Sequence, residues 1–291
     1  MTAVSLLLVL LSAVAHASWN LLLKRAADPE VFAWCLLVAA SVLLAPLGVV
    51  LVWYNSVGLT GLWFILATVG LHVLYFNLLP RGYASGDLSL VYPVARGMGP
   101  MLTPVLAVFF LSETIELLAI GGIVAIVGGI YTISWWGNFH QVLRSPLLFL
   151  RSAGMRYAVV TGLTIAAYSI VDKEGVDHIQ PLLYIYFLDI GTVALLAPYI
   201  LANKGMETVK AEWRANAVPI TVSGLLAFAA YGLVLTAFSL SRVSYVAPAR
   251  EVGIVIGVLM GIFLLKEPFG RGRLLGSGLI VGGLVLIAFS G

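Results

Sequence analysis

Along the chain, apolar runs of about twenty residues alternate with short clusters of charged and turn residues. A bilayer core requires ~20 apolar residues per helix. Ten runs meet that length, roughly 2–24, 31–54, 60–80, 87–111, 115–136, 156–174, 180–202, 216–240, 243–265 and 272–290. The connections are short except at 137–155 and 203–215, which leaves no room for a separate soluble domain. Ala15-His16-Ala17 imitates a signal-peptidase site, but residues 1–5 carry no Lys or Arg and the apolar run continues to Leu23. A retained first helix is therefore expected.

Composition identifies the solvent. Of 291 residues, 61% are hydrophobic and 10% charged, with a mean hydropathy of +1.06, whereas a soluble domain is ~25% charged. The expectation is an all-α integral membrane protein. A net charge of +3, scattered between apolar runs, argues against a nucleic-acid partner. Cys35 is the single cysteine, which excludes an intramolecular disulfide or a cysteine-based metal site.

Charge in the connections predicts orientation, because positive residues stay in the cytoplasm. One alternate set holds Lys24, Arg25, Arg81, Arg144, Arg151, Arg156, Lys204, Lys210, Arg214, Lys266, Arg271 and Arg273; the other holds only Lys173 and Arg242. Both termini are expected outside, with the longer loops in the cytoplasm of an inner-membrane (plasma membrane) protein.

Self-similarity then divides the chain. A shift of 154 places Ala95-Arg96 on Ala249-Arg250, Gly99 on Gly253, Glu113 on Glu267 and Gly128-Gly129 on Gly282-Gly283. A shift of 149 places Trp19-Asn20 on Tyr168-Ser169 and Lys24 on Lys173. The predicted organisation is a five-helix repeat over 1–136, a cytoplasmic linker over 137–155 and a second five-helix repeat over 156–291. Five is odd, so the second repeat enters the membrane inverted, an arrangement suited to alternating access.

The segments LSLVYPVARGMGPMLTPVLAVFFLSETI and VSYVAPAREVGIVIGVLMGIFLLKEP, each ending near a glutamate and followed by a glycine-rich helix, resemble the EamA-like branch of the drug/metabolite transporter superfamily. The resemblance implies a ten-helix exporter of small metabolites with a central cavity between its halves. It names no cargo.

Arg96 lies nine residues into its helix, ~13 Å deep at the helical rise, and Arg250 ~10 Å deep. An arginine at such depth costs ~2.5–3.5 kcal/mol, so each should face a wet cavity or a partner. Guanidinium suits carboxylate or phosphate; the alternative is a structural cation held by helix carbonyls or by Glu251. If the prolines are aligned instead, Glu251 takes the place of Arg96, and an Arg250–Glu251 pair would fit a zwitterion. Trp19, Asn20, Tyr168 and Ser169 are matched aromatic and polar residues at one depth, fit either for recognition or for the interfacial belt. Tyr75, Tyr92 and Tyr231 carry the same two readings. Asp189, alone in its helix, and His16 are candidate proton carriers, set against ordinary interhelical hydrogen bonds. His72 is a weaker candidate of the same kind.

The remaining features read as architecture. Gly253, Gly257 and Gly261, with their counterparts Gly99, Thr103 and Ala107, form small-residue stripes for close packing. Pro93, Pro100 and Pro104 free carbonyls that can kink their helix. Glu113 and Glu267 sit where a helix cap is expected. The functional expectation is a secondary transporter of a small amphipathic metabolite such as an amino acid or other carboxylate, by alternating access around a central cavity, needing lipid and substrate, with protons as a possible coupling ion and no cofactor. Export of cationic or neutral drugs is the alternative. No GxxxxGK[ST] loop is present, and the four histidines have no metal-ligand spacing. A membrane-embedded enzyme or a channel is thus the weaker rival.

Overall fold

The computed structural model describes residues 1–23, 26–85, 88–136, 152–265 and 270–290. Lys24, Glu267, the 137–151 part of the expected linker and the side chains of Tyr92 and Pro93 lie outside the described residues. The described elements are helices: α1 (Ala3–Leu23), α2 (Pro29–Leu43), α3 (Ala45–Tyr54), α4 (Leu59–Ala84), α5 (Leu88–Leu111), α6 (Leu117–Trp135), α7 (Ala153–His178), α8 (Pro181–Asn203), α9 (Met206–Leu240), α10 (Val243–Ala249), α11 (Val252–Leu265) and α12 (Arg271–Phe289). Among the described residues, nine spans are long and apolar enough to cross a membrane, or ten if the bent α2–α3 pair counts as one.

Local chemistry sets the boundaries. Asp28 caps α2 by accepting the N–H groups of Glu30 and Val31, with Pro29 opening the first turn. The α2–α3 break, a bend of 57°, falls just before Pro46, which has no N–H to continue the helix. Ser152 caps α7 through Met155 N, so residues 153–155, expected in the linker, already belong to that helix. The expected loop at 203–215 is instead largely helical. Met206–Ala215 forms the first part of α9, and the chain kinks at Asn216 (φ −131°, ψ 26°), three residues before Pro219. The expected span 243–265 is broken into α10 and α11 around Arg250 and Glu251.

The most extensive packing joins α6 to α12, α1 to α9, and α7 to both α4 and α5; α2 also packs on α9, α8 on α4 and α11 on α1. At α6–α12 the backbones touch through glycine. A Cβ at Gly122 would stand 2.6 Å from Gly283 O, and one at Gly129 2.6 Å from Gly276 O. Bulk is excluded there because small residues are what let membrane helices approach. The stripe expected on α11 behaves differently: Gly253 has ordinary contact with Ala13, and Gly257 has open space beside it.

Candidate functional site

Small residues set α5 around Arg96. Gly97 lies against the ring of Tyr131, where a Cβ would be 3.1 Å from Cζ, and Gly99 lies against Ile165, at 2.5 Å from its Cγ2. Despite its prolines α5 stays continuous, and Thr103 Oγ1 donates to Gly99 O at 2.9 Å. Opposite, Pro248 contributes no N–H, and the chain turns tightly: Glu251 N donates to Pro248 O at 3.0 Å and Gly253 N to Arg250 O at 3.1 Å. This break lets two neighbouring residues turn toward the same space.

Glu251 bridges both arginines. Arg96 Nη2 donates to Glu251 Oε2 at 3.1 Å, and Arg250 Nε stands 3.8 Å from Oε1. The side chains of Arg96 and Arg250 remain 17% and 13% accessible, whereas that of Glu251 is 1% accessible. The carboxylate therefore neutralises the two cations from the buried side, and of the three side chains those of the arginines are the ones left partly accessible. Both readings of Arg250 and Glu251 meet here: Arg250 is the more accessible and Glu251 the more enclosed.

Aromatic and imidazole rings flank this triad. Tyr168 and Tyr231 lie within electrostatic range of Arg250, and His16 within range of both arginines. The His72 and Tyr168 rings are 4.4 Å apart, His72 and Tyr231 5.7 Å, Tyr75 and Tyr168 6.3 Å, and Tyr168 and Tyr231 6.4 Å. Trp19 Nε1 donates to His16 Nδ1 at 3.3 Å, with the two rings edge to face. Arg96, Arg250, Glu251, His16, Trp19, Tyr75, Tyr168 and Tyr231 thus converge from both halves of the chain.

Other candidates point elsewhere. Asn20 Nδ2 donates to His16 O at 2.7 Å and Ser169 Oγ to Ile165 O at 2.8 Å, so both polar groups are engaged by their own helices. Asp189 is buried on α8 and has no hydrogen bond or ion pair among the described residues. Glu113 accepts the N–H groups of Val243 and Ser244 at 2.9 and 3.0 Å and so caps α10, a helix distant in sequence. Lys173 pairs with Asp177 at 3.1 Å.

Sequence reasoning missed Asp172. This fully buried residue of α7 accepts hydrogen bonds from Thr68 of α4, Tyr184 of α8 at 2.9 Å and Tyr231 of α9. The Thr68 hydroxyl is committed to Asp172, so His72 Nδ1–H donates to Thr68 O at 2.9 Å. The charge cluster Asp172-Lys173-Glu174 looks like a helix end, whereas α7 continues to His178. The available signal was spacing: Asp172 is one turn beyond Tyr168 and on the same face.

Outside the membrane, Lys204 Nζ bridges Asp28 at 2.9 Å and Glu30 at 2.8 Å. Burial works to raise the Asp28 pKa, but the Lys204 hydrogen bond and the N–H groups of Val31 and Glu30 outweigh it and hold the carboxyl below its ordinary range.

Residues 152–289 match the EamA-like transporter family. A curated relative, "Phosphoenolpyruvate/phosphate translocator 3, chloroplastic" of Oryza sativa subsp. japonica, is 28% identical over 200 residues, which are 64% of this chain and 48% of that protein. The chain spans about half the length of that curated relative. A solved crystal structure aligns with a TM-score of 0.72 at 16% identity, covering 99% of this chain and 98% of the other, which establishes a shared fold. The family match and the relative are consistent with the drug/metabolite transporter superfamily, and with the many apolar helices they point to a multi-pass membrane transporter.

Proposed function

We propose that the chain, as a transporter of this superfamily, is a secondary carrier of a small organic anion, bound through a carboxylate or phosphate by Arg96 and Arg250. One observation carries this reading: the side chains of Arg96 and Arg250 keep 17% and 13% of their surface accessible while that of their counter-ion Glu251 keeps 1%. Two cations and one carboxylate leave the site one positive charge in excess, which favours an anionic group. Their forked donors match the planar carboxylate and the phosphate face. The name of the rice relative, a phosphoenolpyruvate/phosphate translocator, agrees with that chemistry. The enclosure of Glu251 weighs against it as the receptor of an ammonium group, and hence against the zwitterion arrangement.

In this reading the incoming anion competes with Glu251 for Arg96 and Arg250, while Tyr75, Tyr168, Tyr231 and Trp19 hold the organic part by its flat faces. Release of the arginines from Glu251 couples binding to the α10–α11 break, where one half meets the other. The helix contacts support an inverted repeat: exchanging the first five spans for the last five turns α1–α9 into α7–α4, α5–α7 into α11–α1 and α2–α9 into α8–α4, and leaves α6–α12 unchanged. Such a pair of exchangeable halves suits alternating access. The carrier would lie in the inner membrane with both termini outside. Asp189, buried without a partner among the described residues, is the proposed proton carrier, with His16 second.

Purified protein in liposomes, loaded with unlabelled carboxylates, phosphate esters or amines, should show saturable counterflow of labelled anions and none of amines. Linear, unsaturable flux would mark a channel, and consumption of the solute an enzyme; equal exchange of amines would overturn the anion assignment.

A further inference from the structure

The first ten residues of α9 do more than connect spans. Glu212 turns inward, accepting Asp28 N at 3.1 Å and Asn216 Nδ2 at 2.7 Å, while Lys210, Trp213 and Arg214 are exposed. Between this segment and α2 lies a cavity of about 320 Å³ lined by Trp34, Cys35, Val38, Val209 and Trp213, with Lys210 and Arg214 completing the lining. Trp34 is fixed there by donating Nε1–H to Val193 O at 3.2 Å. We propose that this groove seats one anionic glycerophospholipid, its phosphate on Lys210 and Arg214 and an acyl chain against Trp34, Val38, Val209 and Trp213.

Several independent features favour this occupant. Lys210 and Arg214 are four residues apart on one helix, so their charges stand on one side about a turn apart, close enough to hold one phosphodiester. Arg214 has no hydrogen bond or ion pair among the described residues, and Lys210 pairs with the exposed Glu207 at 2.8 Å, a contact that an anion can displace. The remaining nearby acid, Glu212, is committed elsewhere, so the groove carries net positive charge. Its apolar walls are unsuited to a free inorganic anion and suited to a hydrocarbon chain, and a basic helix with tryptophan is the usual interfacial binder of acidic lipid. The groove joins α2 to α9, one from each half of the chain, so a lipid seated there braces a contact independent of the cargo site.

The test uses the full-length protein in nanodiscs of phosphatidylethanolamine with and without 20% phosphatidylglycerol, about a fifth of the lipid, enough to supply a specific anionic site. Retained lipid is read by native mass spectrometry and Tm by thermal unfolding. Wild type should retain one phosphatidylglycerol and gain Tm from it. Lys210→Gln/Arg214→Gln should bind it about 30-fold more weakly, the size expected for two interfacial cations. Val38→Trp, which fills the groove but keeps both cations, should lose it as well, while Arg271→Gln should not. Equal loss in Arg271→Gln would mean diffuse attraction to basic loops, retention in Val38→Trp would exclude the groove, and displacement by 50 mM inorganic phosphate, roughly a screening dose, would replace the lipid by a free anion. Any of these overturns the assignment. Unchanged Tm of the variants in phosphatidylethanolamine alone confirms that they fold.

Discussion

Glu251 and Asp172 are both buried carboxylates, yet their partners belong to different chemical classes. Glu251 meets two arginines, one of them on another helix, at a break in the backbone. Asp172 meets three neutral hydroxyls from three helices, all inside continuous α-helix. A carboxylate held by cations can be replaced by another anion, because the cations need charge and not that particular residue. A carboxylate saturated by hydroxyl donors has no external substitute, since a ligand would have to reproduce three bonds in an enclosed space. The first arrangement suits binding and release; the second ties α4, α7, α8 and α9 together. Tyr231, bonded to Asp172 and close to Arg250, joins the two.

Substitutions separate the regions, and the largest effect belongs to the cations. Arg96→Ala or Arg250→Ala should weaken anion binding by about 30-fold or more, the ~2–5 kcal/mol lost on truncating one member of a buried hydrogen-bonded charge pair; titration calorimetry measures it. Asp172→Ala should reverse the pattern. Stability falls by about 3 kcal/mol, ~1 per orphaned hydroxyl, seen as a lower Tm, while the folded protein keeps its anion affinity within about threefold, a shift below ~1 kcal/mol. If Asp172→Ala instead abolishes binding in protein that remains folded, the two carboxylates are not functionally distinct. Tyr231→Phe, which removes one donor to Asp172, should cost about 1 kcal/mol of stability and leave selectivity for anions intact.

The smallest effect tests an ion cluster outside the membrane. The Asp28 carboxyl is held below its ordinary range in the folded chain, so its contribution to stability is fully present above the unfolded aspartate pKa of ~4 and is lost as pH falls through the lower folded value. The partners are about a quarter exposed, with Lys204 at 28% and Asp28 at 23%, so the contribution is ~0.5–1 kcal/mol at most after screening. Comparing wild type with Asp28→Asn between pH 3 and 7, roughly the range that spans this titration, should show the difference shrink toward the acid end. A constant difference would show that the ionised carboxylate is not its source, since asparagine caps a helix as well as aspartate does.

The apolar runs read most of the span architecture, because twenty contiguous apolar residues have few alternatives in water or lipid. Hydropathy did not reveal the break at Arg250–Glu251, since the residues on either side are as apolar as the core of any span; Pro248 was the only local sign. Arg96 and Arg250 were legible as candidates through their depth and their repeat. Glu251 was legible both as a counter-ion of the arginines and as half of a zwitterion site; the choice between them was not, because one residue of register decides whether adjacent side chains diverge or converge, and the tight turn at Pro248 sets that register. Asp172 was hidden by its charged neighbours. The segment 206–215 was hidden by its polarity, which reads as a loop until Glu212 finds Asp28 and Asn216.

Anion affinity compared between wild type and Glu251→Gln tests the central claim most directly. Removing the internal counter-ion leaves Arg96 and Arg250 to be neutralised by ligand alone, so small carboxylates and phosphate esters should bind about tenfold more tightly, with a larger rise in Tm on ligand addition. Unchanged or weaker anion binding in Glu251→Gln, in protein of normal fold, would contradict the competition between substrate and Glu251 on which the proposed cycle rests.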